Sequence, residues 1–101
     1  PLFVKNALEI VYNNLDNPDF GKDHFAKAML VSPSLLYKKI KALTDQSPSE
    51  FIKAVRLNHA LELLKEGKYT VLEISEKCGF STVAYFSSSF KKSFGVSPSD
   101  I

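Results

Sequence analysis

Apolar positions recur at helical intervals nearly everywhere along this chain, and no stretch sustains the two-residue alternation of a half-buried strand. Val4, Leu8, Val11 and Leu15 follow i, i+4, i+7, i+11, which predicts an amphipathic helix over about residues 2–15. Asp16-Asn17-Pro18 ends it, because proline disfavours helix in the residue before it and offers no N–H donor. A short helix follows at about 22–29, then one at about 33–44 with Ser32 as its N-cap and Pro33 in its first turn. Ser47-Pro48-Ser49 breaks the chain and opens the longest helix, about 49–66, which Gly67 closes. Thr70-Val71-Leu72-Glu73 reads as a capping box that starts a helix reaching about Lys77. Gly79 permits a tight turn, and a last helix runs about 82–94 to Gly95. The expected fold class is all-α.

Two stretches of this pattern are copies of each other. Phe20, Phe25, Val31 and Ser32 shift by 49 onto Tyr69, Ile74, Phe80 and Ser81. One residue later the shift becomes 50, and Leu36, Ile40 and Lys41 fall on Phe86, Phe90 and Lys91. Ser47-Pro48-Ser49-Glu50 then falls on Ser97-Pro98-Ser99-Asp100. Each copy is a short helix, a tight turn and a second helix, which is a helix-turn-helix unit. In both, an aromatic precedes the first helix and can staple onto its fourth residue: Phe20 onto Phe25, Tyr69 onto Ile74. The repeat divides the chain into a first unit with the N-terminal helix (about 1–48), a linker helix (about 49–66) and a second unit (about 67–101).

The linker helix fits a position between two bodies. Phe51, Ala54 and Val55 cluster on one side, while Leu57, Ala60, Leu61 and Leu64 cluster roughly 120° further round. Phe51 and Val55 are expected against the first unit, Leu61 and Leu64 against the second. Such a helix spans about 26 Å at 1.5 Å per residue. With half of each flanking unit added, the two second helices come about 34 Å apart, one turn of DNA, and fit two successive major grooves.

Charge sharpens that reading where composition does not. The 101 residues are 45% apolar and carry a net charge of +2, an ordinary globular balance that names no partner. Its distribution is uneven. Residues 33–44 hold Lys38, Lys39 and Lys41 and no acid, and residues 82–94 hold Lys91 and Lys92 and no acid. Asp16, Asp19, Asp23, Glu62, Glu66, Glu73 and Glu76 lie on the supporting elements. A nearly neutral chain thus places positive charge on the two helices that a helix-turn-helix presents to phosphate. The single Cys78 excludes a disulfide framework and a four-cysteine zinc site, and reads as a small buried residue before the turn. His24 and His59 lie too far apart for a recognisable metal spacing, so no metal and no cofactor are expected. No Ser/His/Asp arrangement, Gly-rich phosphate loop or carboxylate pair suggests an enzyme. No apolar run reaches the roughly 18 residues of a membrane span, no signal pattern opens the chain, and a reducing cytoplasmic setting follows. The start at Pro1-Leu2 without Met suggests a piece of something longer.

Ala60-Leu61-Glu62-Leu63-Leu64, Tyr69-Thr70-Val71, Cys78-Gly79-Phe80-Ser81, Tyr85-Phe86-Ser87 and the run from Phe90 to Pro98 carry a resemblance. The sequence resembles the DNA-binding domain of AraC-family transcription regulators over roughly residues 15–101. The run Leu36 to Thr44, followed by Ser47 to Ile52, more particularly resembles the output domain of hybrid two-component sensors of Bacteroides-type bacteria. The resemblance implies double-stranded DNA as partner, RNA polymerase as a second one, and a carbohydrate-sensing parent with a histidine kinase and an inner-membrane anchor. The fragment itself is expected to be monomeric, its parent a dimer, with no bound small molecule and no membrane contact of its own.

On the helix at 33–44, Leu36, Ile40 and Leu43 form the expected core stripe, with Ser34, Lys38, Lys41 and Ala42 opposite. The family pattern puts the base-reading positions at Ser34, Leu35, Tyr37 and Lys38. Lys38 is the first choice, to a guanine O6/N7 edge. Tyr37 reads equally as a packed aromatic or a phosphate contact. On the helix at 82–94, Phe86, Phe90 and Phe94 point inward, and Ala84, Ser88 and Lys92 outward. Val83 has two readings, by its angle part of the phenylalanine stripe and by its place at the helix start a contact to a thymine methyl. Family members often carry a long polar or basic side chain where this chain has Ser88, a short and weak reader. Val83, Ala84 and Ser88 are the base-reading candidates here. Ser32, Lys41, Ser81, Thr82, Tyr85, Ser87, Lys91 and Lys92 are the phosphate candidates. Leu30 departs from its counterpart Gly79: either the first turn differs, or leucine is strained there by roughly 1 kcal/mol. Arg56 matches a family position and reads as a lock on the first unit through an acid, or as a phosphate contact. The competing class is a helical protein-interaction module that has lost DNA binding and uses Leu35, Val83 and Tyr85 as contacts.

Overall fold

The computed structural model describes residues 2–101, and among them every regular element is helical. Six α-helices follow in order: α1 Leu2–Asn13, α2 Lys22–Ala28, α3 Pro33–Thr44, α4 Pro48–Glu66, α5 Val71–Lys77 and α6 Val83–Phe94, with a 3-10 turn at Pro98–Asp100. The all-α expectation holds. The boundaries agree with the sequence to within two residues. Among the described residues no helix is long and apolar enough to cross a membrane.

The chain forms two compact units, residues 1–14 with 19–55, and residues 15–18 with 56–101. In the first, Ala7 and Val11 of α1 are buried with Phe20, Phe25, Ala26, Leu36, Ile40, Phe51, Ile52 and Val55. Phe25 stacks on Phe51 with centroids 5.8 Å apart and lies 6.1 Å from Phe20, so the staple expected at the start of α2 is present. Phe51 and Val55 are buried here as expected, and Ile52 joins them. Two apolar assignments are corrected. The inward face of α1 is the Ala7–Val11 face, with Leu8 exposed and Val4 half-buried. Leu43 ends α3 about half exposed, one turn beyond the last buried contact at Ile40.

In the second unit, Leu57, Ala60, Leu63, Ile74, Cys78, Phe80, Phe86 and Phe90 make one core cluster. Leu61, Leu64, Val71 and Phe94 pack on its rim half-buried, and Leu63, which the two-face reading passed over, is the buried leucine of that turn. The rings of Phe80, Phe86, Phe90 and Phe94 follow one another at 5.0, 5.8 and 4.6 Å between centroids. Tyr69 is less buried than its counterpart Phe20. It is exposed, and Lys77 Nζ sits 4.4 Å from its ring centroid.

Helix starts are closed by their own side chains. Ser32 Oγ accepts from Leu35 N–H at 3.2 Å, and Thr82 Oγ1 from Tyr85 N–H at 3.1 Å. Thr70 and Glu73 form the expected reciprocal box: Thr70 Oγ1 accepts from Glu73 N–H (3.1 Å) while Thr70 N–H donates to Glu73 Oε1 (2.9 Å). Ser47 and Glu50 form a second box at the start of α4, with bonds of 2.7 and 3.2 Å. Its repeat is a hydroxyl bond, Ser97 Oγ donating to Asp100 Oδ2 at 2.8 Å.

Two predictions follow from this core and these caps. Phe90→Ala removes a fully buried ring and should lower unfolding free energy by about 3–5 kcal/mol in denaturant titration, most of the stability of a small domain. The Thr70 N–H and hydroxyl hold the Glu73 carboxyl below its ordinary 4.5. A carboxylate whose pKa is depressed by folding stabilises fully above the unfolded value and loses that contribution as pH falls through the folded one. Glu73→Gln should therefore flatten the fall in melting temperature below about pH 4.5 and leave its slope near neutrality unchanged.

Candidate nucleic-acid interface

The two helix-turn-helix turns are the same turn, bond for bond. Met29, Leu30 and Val31 N–H groups donate to the carbonyls of Phe25, Lys27 and Ala26 at 3.0, 3.1 and 3.1 Å. Cys78, Gly79 and Phe80 N–H groups donate to Ile74, Glu76 and Ser75 at 3.0, 3.1 and 2.9 Å. The open choice at Leu30 is settled by this match. Leu30 adopts φ +61°, next to +78° for Gly79, so leucine occupies a left-handed position at a cost of about 1 kcal/mol. Its side chain is 91% exposed, so no packing offsets that cost.

Gly79 is constrained by its surroundings as well as by its φ. A Cβ there would run into the Arg56 guanidinium and the Leu15 carbonyl oxygen. Arg56 is itself buried, and its guanidinium bonds main-chain carbonyls of the second unit. Nη1 donates to the carbonyls of Leu15 and Cys78, the latter at 2.8 Å, and Nη2 donates to the carbonyl of Asn17 at 2.9 Å. Burial lowers its pKa from the ordinary value, while Cys78 and Asp16 act in the opposite direction. The same burial pushes the Cys78 thiol up to about 11, against the pull of Arg56 and Lys77. That thiol stays protonated at neutral pH and serves as packing, as the sequence suggested.

Held by these turns, α3 and α6 each turn a face outward. On α3, Ser34, Leu35, Tyr37 and Lys38 are exposed together, beside the cap hydroxyl of Ser32. Lys41 is exposed too, but its Nζ donates to the Asp45 carbonyl at 3.2 Å and lies 4.0 Å from that residue's carboxylate. Lys39 turns away from this face, 5.0 Å above the Phe3 ring of α1. A groove beside Tyr37 is lined by Lys22, Asp23, Ser47 and Ser49 from the starts of α2 and α4. The sequence reading missed these polar groups because each is separated in sequence from α3.

On α6, Val83, Ala84, Tyr85 and Ser88 are exposed with Ser81, Thr82, Lys91 and Lys92, while Ser87 is half-buried. Val83 is exposed and does not join the phenylalanine stripe. Tyr85 leans on Phe80 with centroids 5.8 Å apart and keeps half of its surface free. Ser88 Oγ donates to the Tyr85 carbonyl at 3.2 Å. The two outward faces share a scaffold and differ in chemistry: Lys38 stands near the start of α3, whereas α6 starts with apolar Val83 and Ala84 among hydroxyls and carries its two lysines further along.

Comparison with known proteins decides what this pair of units is. The sequence profile described as a helix-turn-helix domain, of AraC type, matches residues 25–101. The chain belongs to the AraC-type helix-turn-helix family. It is 40% identical over 96 residues to histidine kinase P4 of Formosa agariphila, covering 95% of this chain and 7% of that protein. It is 42% identical over 97 residues to the Msm operon regulatory protein of Streptococcus mutans, covering 96% of this chain and 34% of that one. The C-terminal domain of AraT, a response regulator from Geobacillus stearothermophilus, superposes with a TM-score of 0.87 at 32% identity, covering 97% of this chain and 81% of that structure. The chain spans a small part of histidine kinase P4 and about a third of the Msm regulator. Family membership makes it a non-enzymatic DNA-binding domain of transcription regulation, and a module that has lost DNA binding is not favoured.

Gly79 and Gly95 separate strain from collision. Both have positive φ, +78° and +80°, but a Cβ on Gly95 meets nothing within 4 Å. Gly95→Ala should cost about 1 kcal/mol. Gly79→Ala should shift the denaturant midpoint much further or abolish cooperative folding of the second unit. Equal shifts would show that Arg56 and Leu15 do not enclose the turn.

Proposed function

We propose that α3 and α6 are the reading helices of this domain, each entering a major groove, and that α3 carries most of the base discrimination. The observation that carries the reading is the outward face of α3, where Lys38 stands exposed among Ser34, Leu35 and Tyr37 without an acid on the helix. A lysine donates to guanine O6/N7 and is drawn to the potential of the groove. Ser32, Tyr37, Ser81, Thr82, Tyr85, Ser87, Lys91 and Lys92 serve the phosphate backbone, with Lys22, Ser47 and Ser49 adding to the first unit's share. Lys41 contributes less, because reaching a phosphate breaks its bond to the Asp45 carbonyl.

The functional division we assign is a first helix-turn-helix unit over about 1–48, a linker helix over about 49–66 and a second unit over about 67–101. The likeness to histidine kinase P4 supports a two-component parent in which this domain is the output module; a cytoplasmic place and carbohydrate as the sensed class are assigned from the resemblance of residues 36–52 alone. RNA polymerase is the further partner of such an output module. The fragment acts as a monomer, since its two units already form a tandem reader.

Titration of a selected duplex and a scrambled one at two salt concentrations tests the assignment. About five phosphate contacts give a slope of log affinity on log salt near −4.5. Lys38→Ala should weaken the selected site by about 1–3 kcal/mol and relax its base preference, while Ser88→Ala costs well under that. Lys91→Ala and Lys92→Ala should weaken both duplexes alike and reduce the slope by about 1 each. A larger loss of discrimination from Ser88→Ala than from Lys38→Ala would reverse the roles of the two helices.

A further inference from the structure

The start of α6 presents two apolar side chains side by side, with the hydroxyl-bearing Thr82, Tyr85 and Ser88 around them. Val83 and Ala84, the first two residues of the helix, are exposed and wholly apolar. Part of the polar capacity around them is used within the helix. Thr82 Oγ1 accepts from Tyr85 N–H as the cap, Ser88 Oγ donates its proton to the Tyr85 carbonyl, and Ser87 is half-buried. The first cations, Lys91 and Lys92, come in the last turn. On α3 the equivalent turns expose Ser34, Tyr37 and Lys38. A burial account of Val83 and Ala84 fails, because both side chains lie outside the core cluster of their unit.

The major-groove edges of the base pairs offer donors, acceptors and one apolar group, the 5-methyl of thymine. A helix start of isopropyl and methyl groups matches that group and no other on a base edge. Facing a bare carbonyl or amino edge would leave those groups desolvated without partners, which disfavours the other bases at the same place. We propose that α6 reads DNA by apolar contact of Val83 and Ala84 with thymine 5-methyl groups, so that the half of the site facing the second unit is chosen for thymine. This rests on α6 being a reading helix; it adds which base feature the helix takes and through which side chains.

Replacement of thymidine by deoxyuridine removes the methyl and leaves every hydrogen-bonding group of the base in place. After selection of a site from a random duplex pool with the whole domain, each thymidine is changed singly to deoxyuridine and the affinity measured. Wild-type protein should lose about fourfold per contacted methyl. For Val83→Ser, a change at an exposed helix start, at least one of those losses should vanish, so that thymidine and deoxyuridine bind alike. Melting of the variant in parallel confirms the fold. Binding that is indifferent to every methyl, methyl losses unchanged in both Val83→Ser and Ala84→Ser, or a selected site without thymine opposite α6 would each overturn the proposal while leaving groove reading intact. Failure to bind any duplex at low salt would overturn groove reading itself, and this proposal with it.

Discussion

The guanidinium of Arg56 fixes the second unit. A charged group buried in protein is tolerated only where its donors are satisfied, and here they are satisfied by the carbonyls of Leu15, Asn17 and Cys78. Those three carbonyls belong to the stretch after α1 and to the end of α5, so one side chain on α4 holds together segments far apart in the chain. The turn into α6 is built against it. Residue 79 has no side chain because the space a Cβ needs holds the guanidinium and the Leu15 oxygen. The direction in which α6 leaves that turn, and so the face it presents, follows from this packing.

The repeat shows how one scaffold supports two chemistries. Buried positions of the two units correspond closely: Phe25 with Ile74, Leu36 with Phe86, Ile40 with Phe90, each fully buried. The turns between them match in every main-chain bond, even where leucine replaces glycine at positive φ. The outward positions diverge, with lysine at 38 against serine at 88, and tyrosine at 37 against serine at 87. Interior positions are held by close packing, in which a changed volume is felt at once, whereas exposed ones are free to take up different chemistry. The net charge of only +2 is likewise uneven in its placement, since α3 and α6 carry lysines and no acid.

Much of this was legible in the sequence because it depends on local rules. Helix spans, caps at Ser32, Thr70 and Gly95, the tandem of two units and the exposed lysines follow from periodicity and turn chemistry within a few residues. Family membership was legible too, since Cys78-Gly79-Phe80-Ser81 and the run to Pro98 carry the pattern of the second unit. The misreadings came where periodicity alone does not choose a face. The α1 stripe was rotated from Ala7 to Leu8, because small alanine gives little hydrophobic signal while bringing helices closest together.

What only the tertiary structure decided was where side chains find their partners. Arg56 read from sequence as a lock through an acid or as a phosphate contact, and the fold brings the carbonyls of Leu15, Asn17 and Cys78 to its guanidinium. Lys38 and Lys41 shared the outward face of α3 in the sequence, yet Lys41 bonds the end of its own helix while Lys38 faces outward, and Lys39 lies over Phe3. Val83 could belong to the core stripe by its angle until the ring stack of Phe86, Phe90 and Phe94 filled the interior and left it on the surface. The physical reason is the same in each case. Local sequence sets the backbone and its caps through interactions a few residues long, but a side chain's partner is fixed by which segments close packing brings together across the chain.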